Sequence, residues 1–512
     1  MQHEHLGRVS ATFVLLLCAS VSLCLFFSPI AQGAPLALPD GGLLCHPRPA
    51  EGDSLPVLAE HATLMVNGHL GRARRVTLNG RALRTTPDGR FADVVPWPAN
   101  RLLRFRLEGD GPALDWELRL AEPPPVPVPQ FEVDQRVGYY SEPCLVRLDG
   151  TPLSTAPDAS YWIFPQAGAE AVADRWQQGW LRLPLAPGLA AWTPEKHTTR
   201  LRTVIEHQLH LVGPAIHSRR LENGDLELSL PITGEAAPLW REEAGPSGAD
   251  WRLILEHTTS RLDWIELDAA GGLRQLDWEP LPGDELELRA DLAPGAFQGH
   301  TLRWEPGRLL LTLVRRVHDL KGARILLDAG HGGSESGCIG ASGTEEKELA
   351  LTLARELKAE LERAGAQVRL TRGSDSTLSL GARVALAAAW PADLLLSLHY
   401  NSVGEDQDPW SADGLMVFSW SPWSAGPARL LHDALVRRLP LRDRGLHWRS
   451  LGVCRHQGCP ALLLEAGSLV HPEEEALLLD PSFRKRQVKA IRRGLEAWFR
   501  GARSSETTNG HE

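Results

Sequence analysis

The stretch that most constrains the fold is a short apolar run, Ile325 to Gly333, that ends in glycines around a histidine. Its isoleucine and leucines are too few for a helix and glycine closes the run, so it predicts a buried strand of a parallel sheet. Such a strand brings His331 to the carboxyl edge of the sheet, where open α/β sheets bind ligands. The flanking glycines allow a sharp turn and a close approach. His331 is therefore a candidate ligand or base.

Three downstream groups follow the same pattern. A second predicted strand ends in His399 and a third ends in Glu465. Glu346 opens an amphipathic helix whose buried stripe consists of leucines at steps of four. Because the carboxyl ends of parallel strands meet at one edge, these groups are expected to converge there.

Two imidazoles and one carboxylate are a common ligand set for catalytic zinc, with a fourth position left for water. The metal lowers the pKa of that water, and a further carboxylate then takes its proton and passes it to the leaving amine. The four groups His331, Glu346, His399 and Glu465 account for such a site. Locally, Glu346 is equally well explained as a helix N-terminal acid and Glu465 as a strand-end acid.

Residues from about 321 to 500 resemble the zinc-dependent N-acetylmuramoyl-L-alanine amidases of bacterial cell walls. The resemblance is carried by Asp328 to Gly333, Glu346 to Leu349, Thr371-Arg372, Ser397 to Ser402 and Leu464 to Gly467. In that family the first histidine, the glutamate of the Glu-Lys pair and the second histidine bind zinc, and the late glutamate is catalytic. The resemblance implies one Zn²⁺ held by His331, Glu346 and His399, with Glu465 as the catalytic residue.

The same resemblance implies hydrolysis of the amide between the lactyl group of N-acetylmuramic acid and L-alanine in peptidoglycan. The chain departs from the family at Ala329, where proline is usual, at Cys338, where a small residue is usual, and in residues 468–472. None of these is one of the four groups. Arg383 is either a structural ion pair or a substrate contact.

Zinc and four residues would equally suit a peptidase or a deacetylase of the cell wall. A catalytically inactive wall-binding regulator is a further alternative, in which the β segments would be the working part. The intact ligand set speaks against the inactive regulator, because loss of activity is usually visible as a missing ligand.

A length of 512 residues predicts several domains. Hairpin signals such as Asn79-Gly80, together with alternating apolar residues, predict all-β modules before an α/β catalytic domain with a twisted, mostly parallel sheet. The predicted organisation is a signal peptide at 1–33, an immunoglobulin-like β-sandwich at 40–121, a Pro-rich linker at 122–130, a bacterial Src-homology-like β-barrel at 131–200, a β-rich domain at 201–318, the zinc amidase catalytic domain at 322–501 and a disordered tail at 502–512.

The first 33 residues predict export. Arg8 precedes an apolar run, and Ala31-Gln32-Gly33 offers the small residues that a signal peptidase needs. An uncleaved anchor is the alternative, because the apolar run is long. The expected location is the periplasm or the cell surface. The net charge of -10 argues against a nucleic-acid partner. The expected partner is peptidoglycan, and the expected state is a monomer.

Five cysteines lie beyond the predicted signal. In an oxidising compartment Cys454 could pair with Cys459 and Cys45 with Cys144. Cys338 is expected to be a small buried residue, because the ligand set is complete without it.

Division amidases of the family often carry a long inhibitory helix after the second histidine, and an activator pulls it away. The corresponding segment here, residues 400–413, is short and contains Pro409. So brief a segment predicts no such helix. The sequence therefore predicts an open site that needs no activator.

Overall fold

The computed structural model describes residues 36–38, 41, 43–46, 63–96, 102–119, 137–157, 161–186, 188–203, 210–244, 250–268, 272–404 and 406–501. The predicted signal peptide, Pro-rich linker and C-terminal tail lie outside these residues. Within them, no helix has both the length and the apolar character needed to cross a membrane.

The first β unit, residues 36–119, consists of two antiparallel four-stranded sheets. Its strands are β1 Leu36–Ala37, β2 Leu43–His46, β3 Thr63–His69, β4 Ala73–Leu78, β5 Arg81–Ala82, β6 Arg90–Pro96, β7 Leu102–Gly109 and β8 Leu114–Arg119. The strand orders are β1-β2-β3-β6 and β5-β4-β7-β8. Phe91 of one sheet and Phe105 of the other share a core. The predicted Asn79-Gly80 hairpin is confirmed, with positive φ at both residues, while the immunoglobulin-like identity stays a prediction.

The second β unit, residues 137–203, is one antiparallel sheet of order β11-β10-β14-β13-β12-β9-β15. Its strands are β9 Val137–Leu148, β10 Leu153–Ser154, β11 Tyr161–Ile163, β12 Glu170–Gln177, β13 Trp180–Ala186, β14 Leu189–Pro194 and β15 Thr198–Thr203. The last strand crosses the predicted domain boundary at residue 200. The Src-homology-like identity of this unit stays a prediction.

The third β unit, residues 210–315, shares one continuous apolar core with the second. Its strands are β16 His210–Val212, β17 Ala215–Arg220, β18 Leu226–Pro231, β19 Trp240–Ala244, β20 Asp250–Leu255, β21 Thr258–Ser260, β22 Trp264–Glu266, β23 Leu273–Leu281, β24 Glu285–Leu292, β25 Phe297–Glu305 and β26 Arg308–Arg315. They form sheets of order β22-β17-β18-β26-β25, β19-β20-β24-β23 and β16-β21. The β-rich character predicted for the N-terminal region is confirmed.

The C-terminal unit, residues 324–500, alternates strands and helices. Its elements are β27 Arg324–Ala329, α1 Glu346–Arg363, β28 Gln367–Leu370, α2 Leu380–Ala389, β29 Leu394–Asn401, β30 Leu415–Ser419, α3 Pro422–Val436, β31 Asp443–Trp448, β32 Ala461–Ser468, α4 Pro472–Leu479 and α5 Pro481–Arg500. The sheet order is β28-β27-β29-β32-β30-β31. The pairing of β32 with β30 is antiparallel, and the other four pairings are parallel. The predicted mostly parallel sheet is confirmed.

Helices cover both faces of this sheet. Ile325 and Leu327 on one face pack with residues of α1, α3 and α5. Leu326, on the opposite face, packs with Ala387 of α2. Strand β29 lies between β27 and β32, so the carboxyl ends of these three strands are neighbours. That edge is where the sequence predicts the site.

Helix α4 was not predicted from the sequence. Pro472 at its first position and three glutamates in its first turn favour a helix start. Asp480, which ends α4, also caps α5 through a side-chain bond to Ser482 N. Helix α5 therefore begins directly after the residue that ends α4.

The predicted Cys454–Cys459 disulfide is wrong, since both are free thiols. The two side chains lie in different apolar clusters: Cys454 packs with Phe418, and Cys459 packs with Leu395. Short spacing along the chain did not bring the sulfurs together. The side chain of Cys45 lies outside the described residues, so its pairing with Cys144 stays a prediction.

The third β unit packs directly against the C-terminal unit. Trp423 Nε1 donates to His300 Nδ1 at 3.0 Å, and Gln298 Nε2 donates to Asp393 Oδ1 at 3.2 Å. The guanidinium of Arg316 lies 3.7 Å from the centre of the Trp498 ring, and its Nη2 donates to Trp498 O at 2.7 Å. Only residues 316–323 connect strands β26 and β27.

Candidate metal centre

The three predicted metal ligands meet at the carboxyl edge of the C-terminal sheet. One donor atom from each of His331, Glu346 and His399 lies within 4.8 Å of the others. The Glu346 carboxylate lies between the two rings, with Oε1 2.9 Å from His399 Nδ1 and Oε2 3.2 Å from His331 Nε2. Among the described residues, no other three His, Cys, Asp or Glu side chains are grouped in this way.

Two glycines allow these side chains to come so close. A Cβ atom at Gly330 would lie 2.6 Å from His399 Nδ1, and one at Gly337 would lie 2.7 Å from His331 Cδ2. Any side chain at either position would displace a ligand. His331 itself has φ +56°, in the left-handed region that is uncommon for residues other than glycine. The chain therefore turns sharply at His331, just after the end of β27.

Glu346 is the first residue of α1 and is almost fully buried. The backbone N–H of Tyr400 donates to Oε1 at 3.1 Å, and that of Cys338 donates to Oε2 at 3.0 Å. Burial alone would raise the pKa of Glu346, but the charge and hydrogen bonds of His331 and His399 hold it well below its ordinary value. The carboxylate is therefore ionised at neutral pH, as a metal ligand must be.

Glu465 lies on β32 directly beside His399 in the strand register. Its Oε2 atom is buried and has no hydrogen-bond partner among the described residues. Burial, and then the charge of Glu346, raise the pKa of Glu465 well above its ordinary value. A buried, unpartnered carboxyl group is costly unless a cation or proton donor meets it. Glu465 is therefore suited to exchanging protons at this edge.

The donor set fits a zinc ion. Two imidazoles and one carboxylate leave a fourth position open on a tetrahedral ion, and the unpartnered Glu465 oxygen lies on the strand next to a ligand. Cys338 lies outside the group: its Sγ is 3.6 Å from Tyr400 O, and its side chain packs against the core. Cys338 is thus only partly buried, where the sequence predicts a buried residue, because it lies at the edge of the core cluster.

A buried polar network supports the turn that carries His331, and the sequence did not reveal it. Asp328, at the end of β27, accepts hydrogen bonds from Arg383 Nη1, Thr371 Oγ1 and Ser397 Oγ, each at 2.6 Å. Arg383 Nη2 also donates to His331 O at 2.8 Å. Of the two roles that the sequence left open for Arg383, these contacts favour the structural ion pair.

Arg372 holds the same turn from the other side. It donates to Ala329 O at 3.0 Å, to Gly330 O at 2.7 Å and to Lys347 O at 2.8 Å. The last contact ties the turn to the start of α1. The sequence identifies Thr371-Arg372 as a family motif. It does not indicate that Arg372 binds these three backbone carbonyl groups, because every residue has one.

The C-terminal unit is similar to known N-acetylmuramoyl-L-alanine amidases. A sequence profile described as N-acetylmuramoyl-L-alanine amidase matches residues 325–497. The probable cell wall amidase LytH of Staphylococcus epidermidis is 32% identical over 182 residues, and the match spans 35% of this chain and 60% of the length of that protein. The Bacillus subtilis protein YqiI is 30% identical, with 37% of this chain and 93% of that protein covered. Among solved structures, the catalytic domain of the amidase CwlV from Bacillus (Paenibacillus) polymyxa var. colistinus is 31% identical, covering 34% of this chain and 97% of that chain with a TM-score of 0.33.

Proposed function

Because residues 325–497 of this chain belong to the N-acetylmuramoyl-L-alanine amidase family, we propose that the protein is a zinc-dependent peptidoglycan hydrolase. Its substrate would be the amide between the lactyl group of N-acetylmuramic acid and L-alanine. The observation that carries the proposal is the convergence of His331, Glu346 and His399 beside the buried Glu465.

Each of the four residues has a chemical task in this proposal. His331, Glu346 and His399 would hold the ion, and Glu346 contributes the negative charge of the ligand set. The chemistry that a bound zinc supplies is that of a Lewis acid, which polarises the scissile carbonyl and lowers the pKa of water towards neutrality. Glu465 would take the proton of the attacking water and give it to the leaving amine of L-alanine. Burial and the charge of Glu346 raise the pKa of Glu465, and a raised pKa suits a group that must hold the proton before the leaving amine takes it.

The proposed setting is outside the cytoplasm, in the periplasm or at the cell surface, with peptidoglycan as the partner and a monomeric protein. The apolar run and small-residue site within residues 1–33 support export. The three β units are proposed to help place the enzyme on the wall, because binding to a surface raises the local concentration of substrate without changing the chemistry.

Mass spectrometry of muropeptides digested by the purified full-length protein tests the proposal. We expect release of free stem peptides that begin at L-alanine, and we expect a zinc chelator to abolish it. Release of acetate would instead indicate a deacetylase, and cleavage within the stem peptide would indicate a peptidase. Either result would refute the amidase proposal.

No activator protein is needed in this proposal. The described residues between β29 and β30 contain only a short 3-10 turn, Pro409–Ser411, and no helix that could cross the site. We expect the purified protein to release stem peptides without a second protein. Replacing residues 402–407 with Gly and Ser should leave turnover almost unchanged, and a large rise in turnover would show that this segment inhibits.

A further inference from the structure

The first β unit inserts an arginine into the C-terminal unit. Arg90 Nε lies 3.1 Å from Glu475 Oε2, and the Glu475 side chain has no exposed surface. Arg90 also pairs with Asp88 of its own unit. Asn67, on the strand beside it, is buried and donates from Nδ2 to Ile339 O at 3.0 Å. A buried carboxylate is costly unless a positive charge and hydrogen bonds compensate it, so Arg90 stabilises Glu475 in this position.

Glu475 in turn holds the segment that leads to Glu346. The backbone N–H of Ser342 donates to Glu475 Oε1 at 2.9 Å, and the Ser342 hydroxyl donates to the same atom at 2.5 Å. A Cβ atom at Gly340 would lie 2.6 Å from Glu475 Cδ, so the carboxyl group packs directly on the turn. The turn is closed by a hydrogen bond from Gly340 N to Thr344 O at 2.9 Å, and α1 begins two residues later.

The same β unit also holds the segment that follows His399. Trp410 Nε1 donates to Ala92 O at 2.7 Å. The Arg84 guanidinium lies 5.2 Å from the centre of the Trp410 ring and pairs with Asp408. The segment that leads to Glu346 and the segment that follows His399 therefore both contact this β unit.

We propose that Arg90 is a positioning residue of the metal centre. Its charge holds Glu475, Glu475 holds the turn at residues 340–344, and that turn sets where Glu346 lies relative to the two histidines. The first β unit then helps to position a metal ligand, in addition to the proposed placement of the enzyme on the wall. The consequences for catalysis and for zinc affinity rest on the proposed function, whereas the support of the turn at residues 340–344 rests on the contacts alone.

The test is Arg90→Ala in the full-length protein, which leaves Glu475 buried without its positive partner. We expect zinc affinity, measured in competition with a chromophoric chelator, to fall about 10- to 100-fold, as is typical when support of a ligand is lost. Amide hydrogen exchange of residues 338–346 in the metal-free protein should become faster. On muropeptides kcat should fall while KM changes little, because no substrate contact is removed.

Two further variants separate positioning from general damage. Arg90→Lys restores the charge and should recover most of the zinc affinity. The double variant Arg90→Ala with Glu475→Gln should also recover, because a neutral amide is less costly to bury and its oxygen can still accept from Ser342. Failure of both to recover would overturn the proposal, even if Arg90→Ala alone does not fold.

Arg104→Ala is the matched control within the same β unit. It removes an exposed arginine that pairs with Glu117 at 2.7 Å on the second sheet, and all readouts should keep their original values. Unchanged zinc affinity and unchanged exchange in Arg90→Ala would overturn the proposal, as would faster exchange spread evenly over the chain. A protein that binds zinc but does not cleave muropeptides would refute the amidase function, and the zinc and exchange measurements would still decide the role of Arg90.

Discussion

Replacing Glu465 by glutamine is expected to lower turnover on muropeptides by about 10²- to 10⁴-fold, the usual contribution of a general acid–base group, while zinc stays bound. Glutamine keeps the size of the side chain but cannot take up or release the proton. Glu465 is well placed for that task because its Oε2 is buried without a partner and its pKa is raised by burial and by Glu346. The measurement is kcat together with the zinc content of the purified variant.

His399→Ala is the contrasting variant. It removes a donor of the ligand group, so zinc and activity should be lost together. Full turnover of Glu465→Gln would remove Glu465 from the mechanism. Loss of zinc from Glu465→Gln would instead make that residue a ligand.

Arg383→Met is expected to destabilise the C-terminal unit by about 3–5 kcal/mol, because breaking a buried ion pair leaves an uncompensated charge. The side chains of Arg383 and Asp328 are 3% and 0% exposed. The loss of stability should appear as faster hydrogen exchange of strand β27 and as a lower midpoint for the unfolding of the C-terminal unit in guanidinium chloride. Arg383 Nη2 also holds His331 O, so zinc affinity should fall in the same variant.

The pH dependence of this loss is a second signature. Burial would raise the pKa of Asp328, but Arg383 and the hydroxyl groups of Ser397 and Thr371 hold it below its ordinary value. With a lowered folded pKa, the stability contributed by Asp328 is present above the unfolded value of about 3.9 and is lost as pH falls through the folded value. In Arg383→Met the pKa of Asp328 should rise. The stability difference between the original protein and Arg383→Met should therefore be largest at neutral pH and become smaller in acid, as Asp328 becomes neutral.

Arg437→Met serves as the control for this variant. It breaks an exposed pair with Asp433 at 3.6 Å, for which about 0.3–0.5 kcal/mol is expected. If Arg383→Met lost no more stability than Arg437→Met, or if its loss did not change with pH, a buried ion pair would not support the turn at His331.

The sequence predicts the strands that carry the site because their apolar runs end in polar residues at one edge. His331 follows β27, His399 and Glu465 lie within β29 and β32 directly after their leucine runs, and Glu346 opens a helix with a stripe of buried leucines. These local patterns suffice because parallel strands align their carboxyl ends. The side chains therefore meet where sequence patterns place them.

The supports of the site could not be predicted in the same way. Asn67 and Ile339 are 272 residues apart, and no local pattern connects a β module to a ligand-bearing turn. Arg372 acts on backbone carbonyl groups, which every residue possesses. The wrong disulfide has a related cause: spacing along the chain says little about the faces on which Cys454 and Cys459 lie.

The packing of the third β unit on the C-terminal unit limits the reach of the enzyme. His300 and Gln298 of this unit contact Trp423 and Asp393 of the C-terminal unit, and Arg316 of the connecting segment packs on Trp498. A flexible tether would let a catalytic unit sweep a sphere of substrate around one anchor point. Here an anchor on the third β unit would instead fix the offset between the anchor and the bond that is cut. After the bonds at that distance have been cleaved, further hydrolysis would depend on the rates at which the protein dissociates from the wall and rebinds at another position.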